Sequence, residues 1–263
     1  YFEDSTLSNH TIYQPKDPSG LKLPVIAWAN GGCANQGLSH QSFLTEVTSY
    51  GAFAIAVGPV KGNPGGGGPP PSGNSSSIPI FPERQKAAID WVVKNAGKGN
   101  YTHVDTSRIA VWGMSCGGIE TYVNWADERV SSIGIFNSGQ LAANESIAIA
   151  SKINKPIFYF MGGPTDIAYE NGERDYANLP GGTPAWLGND GLGHGGSFGK
   201  PNAGPIAIAG VHFMQWLLRG NASAGAFFTN GDALKSGYTD NKSKDLDKLN
   251  ITSIQRLSHW VRN

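Results

Sequence analysis

The sequence predicts an α/β fold in which a mostly parallel central sheet carries helices on both of its faces. Short, almost continuously apolar segments of strand length recur along the chain, and segments with helical spacing separate them. Strands that are apolar throughout are buried on both sides, which is typical of parallel sheets covered by helices. The chain has 263 residues, of which 39% are hydrophobic and 15% charged, and this suits one compact domain.

The individual elements follow from the length and spacing of the apolar runs. Six runs have the length of buried strands, namely residues 23–29, 52–57, 108–112, 131–136, 156–161 and 184–187. Apolar residues recur at helical spacing in residues 39–50, in 83–95, beyond residue 118 and in 207–219. We expect a single domain over residues 1–263, with its core at about 20–220 and a C-terminal extension at about 221–263 that carries polar helix signals.

Segment 61–79 is rich in Gly, Pro and Ser and cannot form a helix or a central strand. It follows the carboxyl end of a predicted strand, which is where α/β folds bind their ligands. It therefore forms either one wall of a cleft or a surface loop.

Charge and hydropathy exclude several kinds of partner. The 20 basic and 20 acidic residues balance, and no basic run with interleaved aromatic residues occurs, so nucleic acid is not an expected partner. No apolar run reaches the length of about 18 residues that a membrane-spanning helix needs. The HExxH motif is absent, and no His or Cys stands at zinc-ligand spacing around the two cysteines. We expect a monomer without a membrane span or a bound metal.

Seven asparagines stand in N-x-Ser/Thr sequons, whereas the composition alone would produce roughly three. They are Asn9, Asn74, Asn100, Asn144, Asn221, Asn241 and Asn250. All seven fall in predicted surface loops or at element ends, where N-glycans are attached. The excess favours a glycoprotein secreted through a eukaryotic pathway, fungal secretion among the options. The alternative is that a chain rich in Asn and Ser produces sequons by composition.

The motif Gly113-x-Ser115-x-Gly117 stands between a predicted strand and a helix. Such a turn needs glycine on both sides of the serine, because the strand and helix backbones come very close there. The strained turn lifts the serine hydroxyl above the sheet at the amino end of the helix, where the helix dipole favours a developing oxyanion. The motif predicts Ser115 as a nucleophile for acyl transfer, and an ordinary glycine-rich turn is the alternative.

A serine nucleophile needs a base, and in proteins with this turn the histidine follows the serine in the chain. His194 lies in a glycine-bracketed loop just after a short predicted strand, where its imidazole can reach the turn. His212 and His259 also follow Ser115, but the first lies within an apolar helix and the second in the C-terminal tail. We therefore predict His194 as the general base.

The base must in turn be oriented by a carboxylate that stands between the serine and the histidine in the chain. The predicted strand 156–161 ends close to Asp166, and a carboxylate at this point faces the loop of the predicted histidine. Glu170 and Asp175 are rivals, and Asp166 could instead cap its own turn. We predict Asp166 as the acid.

Acyl transfer also needs two N–H donors for the oxyanion. One is the backbone N–H of Cys116, and the other belongs to Gly32 or Cys33 in the loop after the first predicted strand, at the position of the HGGG-type motif. If both donate to one oxygen, the two cysteines lie about as close as a disulfide requires, although they are 83 positions apart. In an oxidising compartment we expect a Cys33–Cys116 bond, with two unrelated buried thiols as the alternative.

With these motifs in this order, the chain resembles the α/β-hydrolase superfamily, and within it the cap-less secreted branch of cutinase-like and polyester-hydrolase-like enzymes. The matching stretches are PVIAWANGGC, RIAVWGMSCGG, PIFYFMGGPTDIAY and GNDGLGHGG, from about residue 20 to 220. The resemblance implies acyl-enzyme chemistry without a cofactor. Two residues depart from the family pattern, since Asn30 replaces a histidine and a cysteine follows the nucleophile.

The expected activity is hydrolysis of carboxylic esters through an acyl-enzyme intermediate. Only residues 137–155 separate two of the predicted strands, too few for a cap domain, so an open site that admits bulky or polymeric esters is expected. Trp28, Tyr169 and Trp186 stand near the motif ends and line either the substrate pocket or the core. A peptidase or amidase with the same three residues, and a binding protein on a hydrolase scaffold, are the alternatives.

Overall fold

The computed structural model describes residues 1–64 and 79–251, which form an α/β fold around one eight-stranded sheet. The strands are β1 His10–Tyr13, β2 Leu23–Ala29, β3 Phe53–Val57, β4 Val104–Met114, β5 Val130–Phe136, β6 Ile157–Met161, β7 Ala185–Asn189 and β8 Thr239–Lys244. Their order in the sheet is β1-β3-β2-β4-β5-β6-β7-β8. The six inner strands are parallel and the two edge strands antiparallel, which confirms the predicted mostly parallel sheet.

Helices cover both faces of the sheet, as predicted. They are α1 Gln41–Ser49, α2 Pro82–Asn95, α3 Cys116–Asn124, α4 Ala143–Ala150, α5 Tyr169–Asn178, α6 Gly204–Phe213, α7 Ala226–Thr229 and α8 Asp232–Lys235. Alternate strand residues face opposite sides and build two apolar cores, one with α1 and α6 and the other with α2 to α5. No helix within the described ranges has both the length and the apolarity that a bilayer crossing requires.

The first helices show how local sequence sets the elements. Helix α1 buries Phe43, Leu44 and Val47, which lie on one face at helical spacing. Helix α2 begins at Pro82, whose missing N–H costs nothing in the first turn and whose ring presets the helical φ angle. Both helices agree with the predicted segments to within two residues at each end.

The two edge strands and helices α4 and α5 were not among the predicted elements. Strand β1 is only four residues long, and β8 has the polar sequence TDNKSK with mostly exposed side chains. Such a segment becomes a strand because its backbone pairs with the edge of β7, a contact that leaves no mark in its side-chain pattern. The C-terminal extension, which was expected to carry polar helix signals, contains the short helices α7 and α8 and also the strand Thr239–Lys244.

Aromatic residues of the C-terminal extension pack into the apolar core that contains α1 and α6. Phe227, Phe228 and Tyr238 are buried, and all three rings contact Trp186 of β7, with centroids 5.1 to 6.4 Å away. Aromatic contacts of this kind bury a large apolar area. Phe227, Phe228 and Tyr238 thus belong to the same hydrophobic core as α1 and α6.

The strand order reverses between β2 and β4, because the chain goes from β2 outward to β3 and then returns to the other side of β2. Open α/β sheets bind ligands in the crevice at such a point, at the carboxyl ends of the strands. Here that edge carries the loops after β2, β4, β5, β6 and β7. It is therefore the edge at which the predicted site residues lie.

Candidate active site

Ser115 occupies a strained turn between β4 and α3. Its φ and ψ angles are 53° and −121°, a left-handed region that non-glycine residues rarely adopt and that costs about 1–3 kcal/mol. A Cβ at Gly113 would collide with the backbone of Gly117, and a Cβ at Gly117 would collide with the carbonyl of Ala29. The two glycines are needed for the close approach of the backbones, as the motif predicts.

His194 lies in the loop after β7 and contacts both of its predicted partners. Its Nε2 is 2.8 Å from the hydroxyl of Ser115, and its Nδ1 is 2.6 Å from Oδ1 of Asp166. An ionised carboxylate can only accept, so Nδ1 carries the proton and Nε2 is free to accept from the serine. We refer to these three side chains as the Ser115–His194–Asp166 array. Its geometry allows the serine proton to pass to the imidazole.

Asp166 is buried in the loop between β6 and α5 and accepts four hydrogen bonds. Oδ1 accepts from His194 and from the N–H of Ala168 at 2.8 Å, while Oδ2 accepts from the N–H of Gly162 at 3.1 Å and from Nδ2 of Asn137 at 2.9 Å. Burial by itself raises the pKa of Asp166, but these donors outweigh it and hold that pKa below its ordinary value. The carboxylate therefore stays ionised beside the imidazole.

The two rival acids occupy other places. Asp175 is fully buried under the loop that follows β5, where it accepts the N–H of Gln140 at 2.7 Å, and burial raises its pKa. Glu170 is exposed in the first turn of α5. Asp166 is the carboxylate whose hydrogen bond to His194 the structure contains.

The loop after β2 is held in place by the amide side chain of Asn30. Nδ2 donates to the carbonyls of Ala34, Gln36 and Val57 at 2.7 to 3.1 Å. Oδ1 accepts from Nε1 of Trp28 at 3.0 Å. Asn30 is fully buried, so these bonds form in a low-dielectric interior where an unpaired amide would be costly. Asn30 therefore shapes the turn that carries Gly32 and Cys33.

The predicted disulfide is present and joins Cys33 to Cys116, with their α-carbons 5.2 Å apart. It links the loop after β2 to the first residue of α3, next to Ser115. The first N–H groups of a helix have no partner within the helix, and Cys116 is the first residue of α3. The assignment of the Cys116 N–H and that of Gly32 or Cys33 as oxyanion donors stays a prediction.

Two residues after β5 support the array and were not predicted. Asn137 is fully buried in a left-handed conformation, with φ of 46°, and contacts Asp166. The hydroxyl of Ser138 donates to the carbonyl of Ser115 at 2.7 Å. Asn137 and Ser138 could have been predicted from the sequence, because they are polar residues directly after an apolar strand, at the edge of the sheet that carries Ser115.

Aromatic packing joins the His194 loop to the α1 face of the sheet. The ring of Phe198 lies 4.8 Å from that of His40 and 5.2 Å from that of Phe43, each in an edge-on arrangement. Burial lowers the pKa of His40 to about 4, which keeps this ring neutral in its apolar surroundings. Phe198 thereby anchors a loop whose glycines would otherwise leave it free to move.

The predicted substrate-lining residues divide into two groups. Trp28 and Trp186 are 0% and 1% exposed and belong to the apolar core, which corrects the expectation that they line a substrate pocket. Each packs among other aromatic rings and offers no surface to a ligand. Tyr169 is half-buried at the start of α5, three positions after Asp166. Its contact with substrate stays a prediction.

The sequons also differ in exposure. Asn9, Asn100, Asn144, Asn221 and Asn250 are exposed. Asn241 is half-buried on β8, where its Nδ2 donates to the carbonyl of Tyr238 at 3.4 Å and its Oδ1 is buried. Because a glycan is attached through Nδ2, the fold disfavours modification at Asn241. Asn74 and most of segment 61–79 lie outside the described residues.

Glu120 on α3 makes the stability of the fold depend on pH. Burial raises the pKa of this carboxyl to about 7, although the N–H of Phe81, which donates to it at 2.7 Å, opposes the shift. Since the pKa in the folded state exceeds the unfolded value, the proton stabilises the fold at low pH. That contribution, about 2 kcal/mol, is lost as the pH rises from 5 to 8.

We expect Glu120→Gln to change this dependence, because the amide keeps an acceptor for Phe81 and carries no charge. The unfolding free energy of the variant minus that of the unmodified chain should be about 2 kcal/mol larger at pH 8 than at pH 5. Urea denaturation at the two pH values measures the gain. Glu128→Gln, at an exposed glutamate, is the matched control. An equal effect of Glu120→Gln at both pH values would contradict the prediction.

No protein-family model and no curated protein matches this chain. Among residues 1–64 and 79–251, no group of three or more His, Cys, Asp or Glu side chains is arranged to hold a metal ion.

Proposed function

We propose that this protein is a serine esterase with an α/β-hydrolase fold that cleaves carboxylic esters through an acyl-enzyme intermediate. The observation that carries the proposal is the continuous hydrogen-bonded chain from Ser115 Oγ through His194 to Asp166. It lies at the carboxyl edge of a parallel sheet and begins at a strained strand-to-helix turn. A nucleophile, a base and an orienting acid within hydrogen-bond distance are what acyl transfer needs.

In the proposed reaction Ser115 Oγ attacks the acyl carbon while its proton moves to Nε2 of His194. The resulting imidazolium is stabilised by the ionised Asp166. It then gives its proton to the oxygen of the departing alcohol, and the bond between that oxygen and the acyl carbon breaks. Water enters, loses a proton to His194 and attacks the acyl-enzyme. The proton returns to Ser115 Oγ as the carboxylic acid leaves.

The proposed oxyanion donors are the N–H of Cys116 and that of Gly32 or Cys33. The disulfide supports this assignment, since it holds the two backbone segments close together before any substrate binds. Donors that are already in position stabilise the tetrahedral intermediate without the cost of reorganisation. Asn30 contributes by holding the loop after β2 in one conformation.

An open site without a cap domain fits the arrangement of the described residues. Between β5 and β6 the chain forms only the eight-residue helix α4. Ile167, the residue after Asp166, and Leu192, two positions before His194, are 82% and 39% exposed. Exposed apolar side chains that lie close to two members of the array in the chain favour bulky or polymeric esters over small polar ones. The disulfide and the exposed sequons are consistent with a secreted protein.

A fluorescent fluorophosphonate tests the proposal, because it reacts with an activated serine and leaves a stable adduct. We expect one adduct in the intact mass, mapped to the peptide that contains Ser115. Ser115→Ala should abolish the adduct, whereas Ser107→Ala, at an exposed serine, should keep it. An unlabelled but folded protein, or labelling that survives Ser115→Ala, would contradict the mechanism and favour a binding protein. An amide panel alongside an ester panel then separates amidase from esterase activity.

A further inference from the structure

Asn137 is the first residue after β5 and lies between the two loops that carry Asp166 and His194. It is fully buried and adopts a left-handed conformation, with φ of 46°. Asparagine and glycine tolerate this conformation better than other residues do. Its backbone N–H donates to the carbonyl of Phe160 at 2.8 Å, which fixes the residue against the end of β6. The backbone thus aims the side chain at the array.

The amide of Asn137 makes two contacts that join the acid to the histidine loop. Nδ2 donates to Oδ2 of Asp166 at 2.9 Å and to the carbonyl of Gly193, the residue before His194, at 3.1 Å. Asp166 and Gly193 are 27 positions apart, and one NH₂ group bridges them. One contact of that group is therefore to the array, at Asp166, and the other is to the backbone of the His194 loop.

The orientation of this amide is set by chemistry. Oδ1 of Asn137 is buried and has no hydrogen-bond partner among the described residues. If the amide were reversed, this oxygen would face the carboxylate of Asp166 and the carbonyl of Gly193, both of which are acceptors. An unpaired buried acceptor costs free energy. The two hydrogen bonds that the NH₂ group donates are what this side chain contributes to the site in return.

We propose that Asn137 is a positioning residue that keeps Asp166 hydrogen-bonded as a carboxylate and ties it to the loop of His194. The proposal rests on the function proposed above. Asn137 touches neither the serine nor the ester and acts through Asp166 and Gly193. Its removal should therefore affect the rate of acyl transfer rather than substrate binding.

The titratable groups that face Asp166 are His194, in direct contact, and Asp190, the first residue after β7. Burial raises the pKa of Asp190, and the charge of Asp166 raises it further. A second carboxylate at position 137 would stand as close to Asp166 as the amide does now. Two carboxylates that share a site take up a proton at higher pH than one alone, because both cannot be charged at such a distance.

Two variants separate the donor role from the backbone role. Asn137→Gly keeps the left-handed conformation and removes the side chain, and Asn137→Asp keeps the shape and replaces the donors with acceptors. Asn202→Gly is the matched control, since Asn202 has φ of 51° but is exposed and outside the array. Hydrolysis of a p-nitrophenyl ester is followed against pH, and thermal unfolding shows that each variant is folded.

We expect Asn137→Gly to lower kcat about 10- to 100-fold with KM changed less than about twofold. Asn137→Asp should lower kcat further and move the acid limb of the kcat/KM profile upward by about one pH unit. Asn202→Gly should leave both quantities unchanged. Folded variants that keep the kcat and pH profile of the unmodified chain would overturn the proposal. Failure of the esterase function itself is recognised separately, because the unmodified chain would then show no hydrolysis that depends on Ser115.

Discussion

Replacing Ser115 with alanine is expected to lower kcat/KM for a p-nitrophenyl ester by roughly 10⁴- to 10⁶-fold. The hydroxyl is the atom that bonds to the acyl carbon in the proposed reaction, so the variant can only bind the ester and stabilise charge near it. His194→Ala should cost about as much, because a serine without its base remains protonated at neutral pH. Initial rates at substrate concentrations below KM measure both effects.

The double variant makes this prediction sharper. Residues that act as one unit lose their combined effect when any one member is removed. The Ser115→Ala/His194→Ala chain should therefore be no slower than either single variant, within about threefold. If the fall in kcat/KM of the double variant equalled the product of the two single falls, the array would not act as a single catalytic unit. His212→Ala is the control, since His212 packs against Phe227 away from the array and should retain the full rate.

Removing the disulfide is expected to cost both stability and rate. The bond closes a loop of 83 residues, and loop-closure entropy assigns about 4–5 kcal/mol to a cross-link of this span. For a chain of this size that loss corresponds to a fall in Tm of about 10–15 °C. We expect kcat to fall as well, roughly tenfold, since the two proposed oxyanion donors would no longer be held together.

The Cys33→Ala/Cys116→Ala double variant tests this without leaving a reactive thiol. Both side chains are 4% exposed, so a reducing agent would reach the native bond slowly and the variant is the cleaner probe. Calorimetry gives Tm, and steady-state kinetics gives kcat at a temperature well below the lower Tm. A fall in Tm with unchanged kcat would assign the bond to stability alone. An unchanged Tm would contradict the loop-closure argument.

Local patterns explain what was predicted correctly about the fold. Each inner strand contains a short apolar run that is buried on both faces, so β2 to β7 could be recognised one at a time, although the polar start of β4, residues 104–107, was not predicted. The edge strand β8 could not, because its polar side chains are exposed and only its backbone contacts β7. Edge strands owe their conformation to a neighbour in space rather than to their own composition.

The sequence by itself determined the strand-turn-helix around Ser115 and the glycine-bracketed loop of His194. These depend on residues within a few positions of each other, since glycine alone permits the backbone approach at Gly113 and Gly117. The Cys33–Cys116 bond was also predicted, from the expectation that the backbones of both segments donate to one oxyanion and therefore lie as close as a disulfide requires.

Only the tertiary structure decided which groups surround the array and which aromatic residues are core. Asp166 rather than Asp175 contacts His194 because the loops after β6 and β7 meet at one edge, whereas Asp175 points beneath it. Trp28 is buried since helix α1 and the loop of Phe198 pack over it. The positioning role proposed for Asn137 could not be predicted from the local sequence, because the partners of its amide are 29 and 56 positions away in the chain. Hydrogen bonds of such range depend on how loops pack, which no local pattern encodes.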